Sequence, residues 1–313
     1  MRFLRIPLAP VLILVATVVL IVPMIVAAAV KLLLPFTTAR RLGRRIVARI
    51  AEIWMRIVVT CFRISYGTRI EVTGDTDFDR SHSYLLLCNH LSWVDVPVLL
   101  WAFCGQLPFY RFFLKRSLIW MPLLGIAFWA LEYPFIRFRS QEYLDKHPEK
   151  RGEGLETARR ACKRLKGVPS TIVNFPEGAI NTPERHQRQG ADHKNLLRAH
   201  AGGPSLVISA MGDQLDALLD VTIHYPDGPP GVVAFMLDRV ARVRIHVRRI
   251  DIPPALVGGD YQDDPKFRTR FRAWINALWH EKDALIEEMR THSAPGESDA
   301  IDGESAAGPD PEP

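Results

Sequence analysis

The stretch Ser83, Tyr84, Leu85, Leu86, Leu87, Cys88, Asn89, His90, Leu91, Ser92, Trp93, Val94 and Asp95 decides how the rest of the chain is read. Its first six residues form an apolar run of core-strand type. A tight turn follows and sets a histidine and a carboxylate five residues apart. His90 can then project from the sheet edge while Asp95 folds back onto one ring nitrogen, which leaves the other nitrogen free to take a proton. This is the histidine and carboxylate half of the serine protease arrangement without a protein serine, so an attacking hydroxyl has to come from a substrate. A second reading is purely local. Ser92, followed three residues later by Asp95, is a capping box for a helix starting near Trp93.

Around this stretch lie 313 residues, enough for one large domain with appendages. The net charge of +6 conceals an asymmetry. Residues 293–313 carry six acidic side chains and no Lys or Arg, so the body alone reaches +12. A body this basic suits nucleic acid or an anionic membrane surface. The membrane is favoured, because the charge clusters beside apolar and aromatic runs and no nucleic-acid-binding motif accompanies it. Cys61, Cys88, Cys104 and Cys162 show no CxxC spacing and read as reduced, packed residues.

Residues 8–30 are uncharged and almost wholly apolar, the length of a membrane-spanning helix. Residues 1–40 are therefore expected to be a membrane anchor. A cleaved signal peptide competes, with Arg2 and Arg5 ahead of the run, but its apolar core would be shorter. The basic downstream flank, Lys31, Arg40, Arg41, Arg44, Arg45 and Arg49, places the body in the cytoplasm. Pro23 leaves a bent or re-entrant hairpin open as an alternative to a single crossing. Residues 41–64 mix arginines with Ile, Val, Trp54, Met55 and Phe62 at helical spacing, which fits a basic interfacial helix or a helix packed on the domain.

Residues 65–292 read as one α/β domain. Strands are expected at 65–73, 83–88, 171–175, 220–225, 232–236 and 243–250, and helices at 154–166 and 264–291. The aromatic stretch 96–131 reads as amphipathic helices lining a greasy groove, or as ordinary core. His186, His193 and His200 recur every seven residues and could share a helix face, yet no carboxylate or cysteine joins them at ligand spacing, so no metal site is expected. The tail 293–313, rich in Gly, Pro, Ser, Asp and Glu, is expected to be disordered.

Three features stand in chain order: His90 with Asp95, a basic and aromatic segment at 133–139, and Phe175, Pro176, Glu177, Gly178 at a strand end. This set resembles the glycerophospholipid acyltransferase family. The pattern Asn-His-x-Ser-Trp-x-Asp is matched by Asn89, His90, Ser92, Trp93 and Asp95, and Phe-Pro-Glu-Gly by residues 175–178. The texture around 220–226 is most similar to the lysocardiolipin and lysophosphatidylinositol acyltransferase branch and its proteobacterial inner-membrane relatives. The resemblance implies a mixed central sheet flanked by helices, a body on the cytoplasmic side of a bacterial inner membrane, and acyl transfer from acyl-CoA or acyl carrier protein to a lysophospholipid hydroxyl. No cofactor beyond that co-substrate is implied. His90 and Asp95 would be catalytic, with backbone amides after His90 as an oxyanion site. Asn89, Ser92, Trp93, Arg137, Arg139, Pro176, Glu177, Gly178 and Arg185 would bind substrate. Lysophosphatidic acid is the leading acceptor, with lysocardiolipin or lysophosphatidylinositol as the alternative. The chain departs from the pattern at Ala179 and Ile180, where Thr or Ser and then Arg are usual, and at Phe138 in the second motif. It also lacks the Pro-Lys usual before Gly202. These departures motivate a further alternative, a non-catalytic lipid-binding protein.

Overall fold

A computed structural model describes residues 8–33, 36–112, 114–133, 135–136, 146–147, 153–165, 167–190, 192–261 and 263–291. Arg2, Arg5, Arg137, Arg139 and the tail 293–313 lie outside these residues. Helix α1 (Leu8–Leu33) and helix α2 (Thr37–Ser65) precede strands β1 (Arg69–Gly74) and β2 (Ser83–Cys88). Then come α3 (Asp95–Phe103), β3 (Tyr110–Phe112), β4 (Leu114–Lys115), α4 (Leu124–Ala130) and β5 (Phe135–Ile136). The second half runs through α5 (Glu153–Arg164), β6 (Thr171–Asn174), α6 (Pro183–Gln189), α7 (Gly202–Met211), β7 (Leu215–His224), α8 (Val232–Met236), β8 (Arg242–Ile250) and α9 (Pro265–Thr291).

The main sheet has six strands in the order β1-β8-β7-β2-β6-β3 and is mixed, as expected, since β7 and β8 pair antiparallel while the other neighbours run parallel. A separate two-stranded ladder joins β4 and β5. Both faces of the main sheet are covered, which explains why β2 is apolar at every position. Tyr84, Leu86 and Cys88 pack with α2 and α3 on one face; Leu85 and Leu87 pack with α7 and α9 on the other. β2 thus lies inside the sheet between β7 and β6, and the turn after it opens at the carboxyl ends of three parallel strands, where ligand sites of α/β sheets form.

α1 does not leave the body as an isolated rod. It folds back along α2, with Ile21, Met24, Ala27 and Ala28 against Val47, Ile50 and Ala51, and with the Trp54 indole donating to Thr17 Oγ1 at 2.8 Å. Pro23 lies within α1 without ending it. The side of α1 away from the body leaves Val11, Leu14, Val15, Val18, Val22 and Val26 exposed at helical spacing. α1 is long and apolar enough to cross a membrane.

Several local expectations are corrected. The basic helix begins at Thr37, so the boundary drawn at 40 falls inside it, and it runs to Ser65, which delays β1 to Arg69. Residues 232–236 are a short helix, not a strand. Both neighbours of β7 and of β8 are already taken, so the Val232 and Val233 pair has no ladder to join; only Phe235 is buried, edge-on to Phe62 and Tyr66. Of the three histidines spaced by seven, His186 alone is helical. Strand β3 and helix α7 had no expected counterpart. The aromatic stretch divides: Trp101, Phe103 and Tyr110 are core, while Trp120 is 85% exposed and Trp129 is exposed beside it.

Beneath the strand ends α9 buries a lysine. Lys282 is fully enclosed; its ammonium sits 2.8 Å from Asp220 Oδ1 and also reaches Val221 O, and Arg248 donates to Asp220 Oδ2 at 2.6 Å. Breaking one side of a buried pair leaves charge uncompensated. Lys282→Met is therefore expected to lower stability by about 3 kcal/mol, read as a drop in the denaturant midpoint at an unchanged slope.

Candidate active site

The turn after β2 is built around the Asp95 carboxylate. Asp95 is fully buried at the start of α3, and His90 donates Nδ1–H to its Oδ2 at 2.9 Å. The same oxygen accepts the backbone N–H groups of Leu91 at 2.7 Å and Ser92 at 2.8 Å. Oδ1 accepts the Tyr225 hydroxyl at 2.7 Å. All four bonds are donated to the carboxylate, which has room for four. With Nδ1–H spent on Asp95, the His90 Nε2 carries the lone pair, and it makes no hydrogen bond among the described residues. The ring stacks on Phe175 at 4.2 Å between centroids and keeps 16% of its side-chain surface exposed. A histidine so placed can accept a proton from a hydroxyl brought to its open edge and later return it.

The capping reading of Ser92 and Asp95 is half realised. Asp95 does reach back to the Ser92 N–H, but the Ser92 hydroxyl turns to the Val94 N–H at 3.0 Å and donates to Pro230 O. Of the amides after His90 expected to serve as an oxyanion site, those of Leu91 and Ser92 are spent on Asp95 and that of Val94 on the Ser92 hydroxyl.

The Phe-Pro-Glu-Gly motif meets the first through Glu177. This side chain is buried, and its two oxygens take the His90 N–H at 2.8 Å and the Leu197 N–H at 2.9 Å. Glu177 is a clamp between three chain segments. Asn89 is likewise spent on the backbone, exchanging bonds with Ile223 O and Ile223 N, so its amide extends the β2 to β7 pairing by one step. Buried Asn89, Ser92, Pro176 and Glu177 thus shape the site from behind. Gly178 has φ +67°, where a side chain is strained, and a Cβ there would press on the His200 ring at 3.2 Å. Trp93 is 67% exposed beside the turn. Arg185 lies on α6 and donates to Ile180 O at 2.9 Å, so it folds over the loop that follows Gly178. No group of three or more His, Cys, Asp or Glu able to hold a metal occurs among the described residues.

Tyr225 is the site residue that motif reading missed. It follows β7 directly, far from His90 in sequence, and the 220–226 stretch was singled out for its resemblance rather than as part of the site. Burial, reinforced by the neighbouring Asp95 charge, pushes its phenol up, so it stays protonated as a donor.

Compared with known proteins, residues 69–224 match the family described as Acyltransferase. A relative from Mus musculus, 1-acyl-sn-glycerol-3-phosphate acyltransferase epsilon, is 25% identical over 287 residues, covering 85% of this chain and 73% of that protein. Lysocardiolipin acyltransferase 1 of Danio rerio is 23% identical over 261 residues, covering 79% of this chain and 62% of that protein. The crystal structure of the 1-acyl-sn-glycerophosphate (LPA) acyltransferase PlsC from Thermotoga maritima superposes with a TM-score of 0.52 at 16% identity. It covers 93% of this chain and 98% of that one, a likeness of fold.

Burial pushes the Glu177 carboxyl up to about 8 from 4.5, against the two amide bonds and the Lys282 charge, which favour ionisation. Between those two pH values the native chain holds a proton that the unfolded chain has released, so this residue makes stability fall as pH rises from 4.5 to about 8. Glu177→Gln is expected to flatten that slope in pH-dependent thermal unfolding. Above about pH 8, where the native carboxylate accepts both N–H groups, the glutamine amide presents a donor to one of them, costing about 1–3 kcal/mol.

Proposed function

Residues 69–224 are a domain of the acyltransferase family, and on that premise we propose that the chain is a membrane-anchored lysophospholipid acyltransferase. The observation that carries this reading is the His90 and Asp95 pair, with Nδ1 held and Nε2 open at the end of a central strand. His90 Nε2 takes the proton from a glycerol hydroxyl of the acceptor as that oxygen attacks the thioester carbonyl of acyl-CoA or acyl carrier protein. The tetrahedral adduct collapses, the carbon–sulfur bond breaks, and the leaving thiolate receives the proton from the imidazolium. Ester and free thiol are the products, and no further cofactor takes part.

Lysophosphatidic acid, giving phosphatidic acid, is the acceptor we favour; lysocardiolipin or lysophosphatidylinositol is the alternative, since relatives of both kinds of name are similar to this chain. Arginine forks suit phosphate, and Arg137, Arg139 and Arg185 are the candidate ligands. An acyl chain meets apolar surface at Trp120, Met121, Ile126 and Trp129, each buried methylene contributing about 0.8 kcal/mol. With purified protein, His90→Ala is expected to lower CoA release by at least about a thousandfold while vesicle binding persists. An active His90→Ala protein would overturn the catalytic reading, and a wild type that binds vesicles but transfers nothing would support a non-catalytic lipid-binding role.

α1 runs unbroken through Pro23, against the re-entrant hairpin expected there; its packing along α2 supports a helix pair held at one membrane face over a simple crossing. α2 exposes Arg44, Arg45, Arg49, Arg56 and Arg63, which belong at phosphate depth, and α1 lies against it with its apolar stripe turned outward. The proposed setting is the cytoplasmic leaflet of a bacterial inner membrane. A cysteine introduced at Leu8 is expected to react with an impermeant thiol reagent from the cytoplasmic side; labelling from the opposite side only would establish a crossing helix instead.

A further inference from the structure

We infer that Tyr225 is a positioning residue of the His90 and Asp95 pair: its hydroxyl, donated to the second Asp95 oxygen, sets the basicity of His90 and the orientation of the carboxylate. The inference rests on the acyltransferase reading above and assigns part of its machinery to a residue outside both motifs.

Three observations carry it. The Tyr225 hydroxyl lies 2.7 Å from Asp95 Oδ1, whereas the imidazole and both turn amides bond Oδ2. Among the described residues, the Tyr225 hydroxyl is thus the donor that holds Oδ1. Both residues are buried, so water does not replace the bond at low cost. Finally, Tyr225 is anchored by the sheet as well as by the turn: it follows β7 directly, and its ring belongs to the core that includes Val94, Val98 and Phe235. The loop after it is tied down where Ser92 Oγ donates to Pro230 O. A fixed donor on a buried carboxylate does two things. It draws charge from the oxygens, which weakens the pull of Asp95 on the imidazolium, and it resists rotation of the carboxylate away from Nδ1.

The test compares Tyr225→Phe, which keeps the ring, with Tyr84→Phe. Tyr84 is another fully buried tyrosine; its hydroxyl bonds the Asp79 backbone at the opposite end of β2. Full-length proteins are assayed for CoA release from palmitoyl-CoA with lysophosphatidic acid across pH. With the hydroxyl gone, Asp95 holds the imidazolium more tightly. The acid limb of the kcat profile should then move up by about half a pH unit or more, with kcat down about tenfold at neutral pH and KM within about twofold. Tyr84→Phe should leave the limb in place. A ring-fluorinated tyrosine at 225, a stronger donor that preserves the fold, should move the limb the other way. An active wild type whose limb stays put in both Tyr225 variants, or a Tyr225→Phe protein altered in KM alone, overturns the inference. A wild type that releases no CoA with any lysophospholipid fails the acyltransferase reading itself, and the inference with it.

Discussion

A buried carboxylate must be surrounded by donors, and the candidate site follows from meeting that demand at Asp95. Left unmet, the cost of enclosing the charge would exceed what α3 gains by docking on the sheet. The chain meets it with two amides from the tight turn, one imidazole and one phenol. Using the Leu91 and Ser92 amides forces the turn to wrap the carboxylate, and that wrapping aims His90 outward. Orientation of the imidazole is thus a by-product of solvating an anion without water.

The same economy recurs a few ångströms deeper. Glu177 is solvated by amides of His90 and Leu197, and Asp220 by Lys282 and Arg248. Each group stitches together segments that the sheet alone would leave as neighbouring strand ends. The open edge of His90 thus sits beside carboxylates whose oxygens are already engaged.

Much of this was legible in the sequence because it depends on short-range patterns. The apolar run at 83–88 marked the central strand, and the five-residue spacing of His90 and Asp95 marked their bond. The amphipathic segment 264–291 reappears as α9 with nearly the same limits. What escaped depends on partners distant in the chain. Glu177 and Asn89 look like ligands in a motif, and only the positions of Leu197 and Ile223 reveal that their oxygens are taken. Val232 and Val233 have strand-like side chains, but no free strand edge awaits them. Tyr225 falls in the 220–226 stretch noted above for its resemblance, but nothing near residue 225 in sequence announces a carboxylate from residue 95.

Those distances along the chain also order events in time. His90 and Glu177 are 87 residues apart, Asp95 and Tyr225 130, and Asn89 and Ile223 134. Closing such loops is entropically slow, whereas the α1 and α2 pair forms between neighbours in sequence. During synthesis the α1 and α2 pair is complete before β7 has been made, so the first two helices can pack while Asp95 still lacks the Tyr225 hydroxyl. An unfinished chain therefore shows its apolar N-terminal face before the His90 ring has acquired its fixed orientation.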